Sequence, residues 1–237
     1  MPKKKRVKTG GHHTLLLSLV AMTVIIGVGA GGYLLFINGQ PSSRTSEIQT
    51  FDFPNRLGSE DAPITIIEFG EYQCPNCALF FRNVFEEFSA RYIDTGLVKM
   101  YYRDFPYYGP ESFSAAIAAR CAGEQGQYWE YHHTLYEFQG EINSGWANNS
   151  MLKVFAVMTQ LEKEGVGDVA AKQQFDTCLD SERYLGEIRA DYEEGLRLGV
   201  SGTPTFIIIG PDGREERIVG AQPLSVFERV IESMLGG

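Results

Sequence analysis

The pattern of apolar and polar positions predicts a strand, a helix and a second strand after residue 60. Ala62–Gly70 and Leu97–Phe105 are apolar runs of the kind found in buried strands. Cys77–Tyr92, between them, has apolar residues three and four positions apart, which is the spacing of a helix with one buried face. This order favours a crossover connection between two parallel strands.

The pattern changes twice more towards the end of the chain. Residues 110–198 are rich in Ala, Glu, Gln and Leu, which predicts about four helices. Thr205–Ile209 and Glu215–Val219 flank a Gly-Pro-Asp-Gly turn signal, so we expect them to pair as antiparallel strands. Leu224–Leu235 has the spacing of a closing amphipathic helix.

The first 50 residues have the pattern of a membrane anchor. Leu15–Ile37 is a nearly unbroken apolar stretch, long enough to cross a bilayer as one helix. Five basic residues precede it and Arg44 is the only one soon after it, so the positive-inside rule places the N-terminus in the cytoplasm. The predicted organisation is a basic leader (1–13), an anchor (14–37), a linker (38–50) and a folded domain (51–237) with a helical insertion at about 109–198.

A cleavable signal peptide is the alternative to a retained anchor. Small residues around Gly29–Gly31 are compatible with a cleavage site. The apolar run continues to Ile37, however, beyond the usual length of a signal-peptide core, which favours retention in the cell membrane. In both cases we expect the folded domain to lie outside the cytoplasm, and the cleaved form would be secreted or periplasmic.

The charge balance argues against nucleic acid as a partner. The chain has 21 basic and 30 acidic residues, and without the five bases of the leader the ratio is 16 to 30, a net charge of −14. A domain with this charge repels a phosphate backbone.

Cys74-Pro75-Asn76-Cys77 lies where the first predicted strand gives way to the predicted helix. Two cysteines at the first turn of a helix can close a small disulfide, and the helix N-terminus stabilises the thiolate of the first one. We predict that Cys74 is the exposed nucleophile and that Cys77 resolves the mixed disulfide. A permanently closed disulfide or half a zinc site is the alternative. No second Cys-x-x-Cys or His-x3-His motif supplies further ligands, so we predict no metal.

Glu68 lies six residues before Cys74, on the predicted strand that leads to the motif. If this strand is buried on both faces, the carboxyl group lies beneath the dithiol and its pKa is raised by burial. It is then able to relay a proton to or from Cys77. The alternative is a charge at a strand end that faces solvent.

Four segments of the sequence resemble a known family. They are GSEDAPITIIEFGEYQCPNC, AARCAGEQGQYWEYHHTLYEFQ, FDTCLDS and GVSGTPTFIIIG, and they are similar to the DsbA-type thiol-disulfide oxidoreductases, in particular to their membrane-anchored, BdbD-like branch. The resemblance runs from about Asn55 to the C-terminus. It implies an α/β thioredoxin fold, in which helices flank a central mixed sheet, with an inserted helical domain. It also implies an acidic residue at the position of Glu68.

The resemblance assigns a role to Thr203-Pro204 at the start of the third main strand. It implies that this peptide bond is cis and packs against the cysteine pair, whereas an ordinary trans proline is the alternative. The Thr203 backbone is then free to bind an extended substrate as an added strand. Pro75 and Asn76 are also expected to contact substrate. Because Asn76 is neutral, we expect a less oxidising protein than DsbA variants with histidine at this position.

Cys121 and Cys178 both fall in the predicted helical insertion. In an oxidising compartment we expect a structural disulfide between two helices, which stabilises the fold by roughly 2 to 4 kcal/mol. Two buried free cysteines and a second redox centre are the alternatives.

Two other clusters permit more than one interpretation. An aromatic group suits a substrate groove or, more ordinarily, the core around the second strand; it comprises Tyr101, Tyr102, Phe105, Tyr107 and Tyr108. His132 and His133 point about 100° apart on a helix, so shared metal binding is not expected. We predict that both are surface residues.

These observations predict a membrane-tethered, extracytoplasmic thiol-disulfide oxidoreductase that transfers the Cys74–Cys77 disulfide to folding exported proteins. We expect a monomer without a cofactor. The resemblance implies reoxidation by a membrane partner of the DsbB or vitamin K epoxide reductase type. A disulfide reductase or isomerase with the same residues is one alternative. A redox-silent chaperone or binding module on the same fold is the other.

Overall fold

The structure, a computed structural model, describes residues 55–161 and 169–236. The predicted leader, anchor and linker lie outside these residues. Within the described ranges, no helix is both long and apolar enough to cross a membrane.

A mixed sheet forms the centre of the described part of the chain. Its five strands are β1 (Arg56–Leu57), β2 (Ile64–Gly70), β3 (Val98–Asp104), β4 (Thr205–Ile209) and β5 (Glu215–Val219), in the spatial order β1-β3-β2-β4-β5. β2 and β3 are parallel, and the other neighbouring pairs are antiparallel. The predicted parallel and antiparallel pairs are confirmed, whereas β1 is too short to leave a periodic pattern in the sequence.

Helices flank this sheet, as expected. The helical run α1 begins after Cys74 and alternates α-helical turns (Pro75–Phe80, Glu86–Phe88) with π-helical segments (Phe81–Phe85, Ser89–Ile93). The others are α2 (Pro110–Gly123), α3 (Tyr128–Glu137), α4 (Asn149–Leu161), α5 (Val169–Asp180), α6 (Leu185–Arg197) and α7 (Leu224–Leu235). α2 to α6 lie between β3 and β4 in the chain, where the sequence indicates a helical block.

Two hydrophobic cores hold these elements together. One core lies where α1 and α7 pack on the sheet, with Ile66, Phe206 and Phe227 fully buried at its centre. The other core lies among the inserted helices and contains all four cysteines of the chain. The Cys74–Cys77 motif therefore sits where the helical insertion meets the end of the sheet.

A buried ionic network ties the insertion to β3. Arg103 Nη1 lies 2.8 Å from Asp191 Oδ1 on α6, and Arg120 Nε on α2 lies 2.8 Å from Asp104 Oδ2. Arg120 also contacts Asp191. Removal of Arg120 would take from the buried Asp104 carboxylate its ion-pair partner, and such a loss costs about 3 to 5 kcal/mol.

Candidate active site

Cys74 occupies the N-cap of α1. Its backbone is extended (φ −76, ψ 120), and Pro75 follows at the first helical position, where its missing N–H costs no hydrogen bond. Hydrogen bonds from the backbone N–H groups of Asn76 and Cys77 help to lower the pKa of the Cys74 thiol. The helix start therefore provides fixed donors for a thiolate.

The two sulfurs of the motif have opposite acidities. Hydrogen bonds from the Cys77 thiol, the Thr203 side chain and the helix N-terminus outweigh burial and lower the pKa of Cys74 to about 5. Burial and the neighbouring Cys74 raise the pKa of Cys77 well above its usual value. At neutral pH the reduced site therefore holds a Cys74 thiolate beside a Cys77 thiol.

Cys74 is less accessible than we predicted. Its exposed fraction is 2%, so the prediction of an exposed nucleophile is wrong for this conformation. The reason is that the Thr203 backbone lies against it, with the carbonyl oxygen 3.3 Å from Cys74 Sγ. Pro75 and Asn76, by contrast, are exposed beside it, and their contact with substrate stays a prediction.

The Thr203–Pro204 peptide bond is cis, as the resemblance implied. Thr203 lies two residues before the start of β4, which pairs with β2, the strand that leads to the cysteines. Strand pairing therefore brings the two halves of the site together, although 129 residues separate Thr203 from Cys74.

Glu68 is buried near the dithiol, as predicted, and does not face solvent. It lies on β2 between Tyr102 of β3 and Phe206 of β4, and 3% of its surface is exposed. Burial, and then the charge of Cys74, raise its pKa to about 8. The carboxyl group is therefore mostly protonated at neutral pH, and its proton relay to Cys77 stays a prediction.

Glu71 is a second buried acid, which the sequence pattern did not single out. Its exposed fraction is 1%. Its carboxylate accepts hydrogen bonds from the backbone N–H groups of Gln73, at 2.8 Å, and Tyr107, at 2.9 Å. Burial raises its pKa to about 7, although these hydrogen bonds act in the opposite direction.

The predicted aromatic group divides between core and surface. Tyr102 is fully buried and Phe105 is nearly so. Tyr107 and Tyr108 lie side by side with ring centroids 4.4 Å apart, and Tyr107 is 40% exposed. The Tyr107 hydroxyl lies 3.2 Å from Thr203 Oγ1, which places this ring beside the cysteine pair.

His132 contradicts its predicted surface position, whereas His133 is exposed. Only 2% of His132 is exposed, because α3 turns this side chain into the core of the insertion. Its Nδ1 lies 2.9 Å from the Tyr72 hydroxyl, and burial lowers its pKa well below the usual range. The ring also packs against Tyr102, with centroids 4.7 Å apart. The sequence alone does not show which of the two adjacent histidines faces inward, because both have aromatic residues three or four positions away.

Cys121 and Cys178 form a disulfide that joins α2 to α5, which confirms that prediction. Both residues are at most 1% exposed. They are therefore neither free thiols nor part of the site around Cys74. Among residues 55–161 and 169–236, no three His, Cys, Asp or Glu side chains form a group that suits a metal ion.

Comparison with known families agrees with this architecture. The family model described as thioredoxin matches residues 54–232, most of the sequence. The chain belongs to the thioredoxin family. The expected fold class is thereby confirmed for the part of the chain that the structure describes.

The relatives of this thioredoxin-family chain narrow its class further. Disulfide bond formation protein D of Bacillus subtilis is 26% identical over 174 residues, which cover 73% of this chain and 71% of that protein. Among solved structures, oxidised BdbD from Bacillus subtilis has a TM-score of 0.66 at 24% sequence identity. The superposition covers 77% of this chain and 93% of the BdbD chain. Wolbachia pipientis alpha-DsbA1 has a TM-score of 0.63 at 26% sequence identity, and the superposition covers 77% of this chain and 90% of the alpha-DsbA1 chain.

These comparisons confirm the DsbA-type relationship and the thiol-disulfide oxidoreductase activity predicted from the sequence. The alternative of a redox-silent chaperone or binding module is not supported.

Proposed function

We propose that this protein is an extracytoplasmic oxidase that is tethered to the membrane. It transfers the Cys74–Cys77 disulfide to exported proteins that contain free cysteines. A membrane partner of the DsbB or vitamin K epoxide reductase type then reoxidises it. Anchoring raises the local concentration of the domain near such a partner.

The unequal acidity of the two sulfurs supports the oxidase direction most strongly. A low pKa makes Cys74 a stable thiolate at neutral pH, and this stabilises the reduced form relative to the disulfide. The disulfide is then a strong electron acceptor. The pKa of about 5 falls within the range of roughly 3.5 to 7 known for active Cys-x-x-Cys motifs.

The reaction proceeds through two thiol-disulfide exchanges. A substrate thiolate attacks the Cys74 sulfur, which forms a mixed disulfide and expels Cys77. A second substrate thiolate attacks the substrate sulfur of that mixed disulfide and expels Cys74 as a thiolate. Two substrate thiols thereby become a disulfide, and the protein receives the two electrons as its dithiol.

Glu68 is suited to handle the proton at Cys77. The departing Cys77 sulfur needs a proton, because burial makes its thiolate unstable. Glu68 carries a proton at neutral pH, since its pKa is about 8, and its ionised form raises the pKa of Cys77. During reoxidation the same carboxylate accepts the proton back before Cys77 closes the disulfide.

The proposed location has two sources of support. The apolar stretch 15–37 and the basic residues before it predict an anchor with the folded domain outside the cytoplasm. The Cys121–Cys178 disulfide is of the kind that persists in oxidising compartments. Protease treatment of intact cells, compared with lysed cells, tests this: we expect digestion of the domain in both, and protection in intact cells would contradict the location.

The direction of transfer is tested by the redox state of the protein in the cells that make it. Acid quenching followed by alkylation of free thiols traps this state. We expect mostly the Cys74–Cys77 disulfide, as required of a donor. Mostly dithiol would overturn the oxidase proposal in favour of the reductase or isomerase. Loss of the partner should shift an oxidase to the dithiol.

A further inference from the structure

A closed ring of contacts passes through the Cys74 sulfur. Cys74 Sγ lies 3.3 Å from the Thr203 carbonyl oxygen, and Thr203 Oγ1 lies 3.2 Å from the Tyr107 hydroxyl. The Tyr107 backbone N–H donates to Glu71 Oε2 at 2.9 Å, and the Gln73 N–H donates to Glu71 Oε1 at 2.8 Å. Gln73 immediately precedes Cys74, so the ring returns to its starting point.

Glu71 connects two chain segments within this ring. One oxygen of its carboxylate holds the segment before Cys74, and the other holds the segment between β3 and α2 at Tyr107. The Glu71 side chain is almost fully buried, and an isolated buried carboxylate is costly. These backbone donors offset part of that cost, so the carboxylate and the two segments stabilise one another.

Tyr107 connects this carboxylate to the third segment of the site. Its backbone is bound to Glu71, while its hydroxyl reaches Thr203 Oγ1. Thr203 in turn contacts the Cys74 sulfur through its carbonyl oxygen, 3.3 Å away, and a hydrogen bond from its side chain helps to lower the pKa of that thiol. The Tyr107 hydroxyl also donates to the Tyr108 hydroxyl at 3.3 Å, so its contact with Thr203 Oγ1 has no fixed donor direction and acts by restraining the rotation of the Thr203 side chain beside the sulfur.

We propose that Tyr107 is a positioning residue for thiol-disulfide exchange: anchored by Glu71, its hydroxyl holds the Thr203 side chain against the Cys74 sulfur. Tyr107 does not touch the reacting atoms and acts through Thr203. Glu71 acts through the backbone of Tyr107 on one side and through that of Gln73, next to Cys74, on the other. The segment between β3 and α2 thereby controls the reactivity of a cysteine on a different element. This inference rests on the proposed role of Cys74 as the attacking sulfur.

The first test is Tyr107→Phe in the full chain, which removes one hydroxyl from a partly exposed ring and leaves its packing in place. The Cys74 pKa is measured from thiolate absorbance as a function of pH. We expect it to rise by about half a unit, because a single neutral hydrogen bond is lost one step from the sulfur. Tyr101→Phe, which removes a hydroxyl from a β3 tyrosine outside the ring, is the matched control and should leave the Cys74 pKa unchanged.

The second test is a double-mutant cycle with Glu71→Gln, which keeps the size of the side chain but presents an amide N–H₂ to a backbone donor. If Glu71 acts through Tyr107, the Cys74 pKa shift in the double variant should be about that of the larger single shift. Additive shifts would overturn the anchoring of Tyr107 by Glu71, since Glu71 would then act through Gln73. No shift in Tyr107→Phe would overturn the positioning role of Tyr107. The Tyr107→Phe arm decides alone if Glu71→Gln does not fold.

The same measurements separate this inference from the proposed function. A wild-type Cys74 with an ordinary thiol pKa and no disulfide exchange would contradict the function itself. A wild-type protein with an acidic, active Cys74 that is unaffected by Tyr107→Phe would contradict the positioning role alone.

Discussion

The two cysteine pairs of this protein share one hydrophobic core but have different chemistry. Cys121 and Cys178 lie on helices α2 and α5, fully enclosed, and are joined as a disulfide. Cys74 and Cys77 are free thiols at the first turn of α1. All four residues are at most 2% exposed, so burial by itself does not distinguish a structural pair from a reactive one.

The difference lies in what faces each sulfur. Cys74 meets the backbone N–H groups of a helix start and the Thr203 segment, which favour its thiolate. The second pair lies within helices, where backbone N–H groups are already bonded along the helix. The comparison teaches that a buried cysteine is reactive when N–H groups without a helical partner lie near its sulfur.

The largest effect is expected from Cys74→Ser. A serine hydroxyl is not ionised at neutral pH, so the reduction of insulin disulfides should fall about a hundredfold or more. Insulin turbidity in the presence of a dithiol reductant measures this rate. The double variant Cys121→Ala, Cys178→Ala is the matched control and should retain wild-type exchange within about twofold, since these sulfurs lie outside the site. Full activity of Cys74→Ser would show that the wrong sulfur has been assigned.

The same double variant should lose stability. Removal of the Cys121–Cys178 cross-link gives the unfolded chain more conformational freedom, which lowers the free energy of unfolding by about 2 to 4 kcal/mol. Urea denaturation of the oxidised proteins measures the change. An unchanged midpoint would mean that this disulfide does not contribute to the fold.

The pH dependence of exchange should reveal the acidity of Cys74. Because its pKa is lowered to about 5, the rate of attack by the reduced protein should be constant above that pH and fall about tenfold per unit below it. The thiolate also stabilises the reduced fold: this contribution is complete above the unfolded pKa of about 8.5 and is lost as the pH falls through 5. A rate that keeps rising up to pH 8 would contradict the assigned pKa.

The smallest of these effects is expected from Glu68→Gln. The amide cannot exchange a proton with Cys77, so the mixed disulfide that reduced protein forms with insulin, which Cys77 then resolves, should decay about tenfold more slowly, as measured by acid quenching and intact mass. The raised pKa of Glu68 also means that wild-type stability falls as the pH rises from about 4.5 to 8, and this decline should be absent in the variant. Glu60→Gln, at an exposed acid, is the control. Equal decay rates would exclude the relay.

The sequence predicted most of the fold because the main elements have local periodic patterns. β2 and β3 are apolar runs, and the turn between β4 and β5 has its own residue signal. The cysteine motif was equally visible, because its chemistry needs two sulfurs at a fixed spacing at a helix start. The π-helical segments of α1 left no such pattern, since each is only five residues, about one turn, and is too short for its wider spacing to show.

The parts of the site that were missed depend on contacts between distant segments. In the sequence, Glu71 looks like an ordinary acidic loop residue. Its role depends on a hydrogen bond from the backbone of Tyr107, 36 residues away. The enclosure of Cys74 requires Thr203, and the burial of His132 requires the packing of α3 against the strand that carries Tyr102. None of these partners is specified by residues near them in the chain.

By itself, the sequence determined the order of the strands and helices, the identity of the reactive dithiol and the family to which it belongs, because each is set by residues within a few positions of one another. The tertiary structure alone decided how the sulfurs are tuned. The acidity of Cys74, the protonation of Glu68 and the ring through Glu71 and Tyr107 all arise from burial and hydrogen bonds, which exist only after strands β2, β3 and β4 have paired.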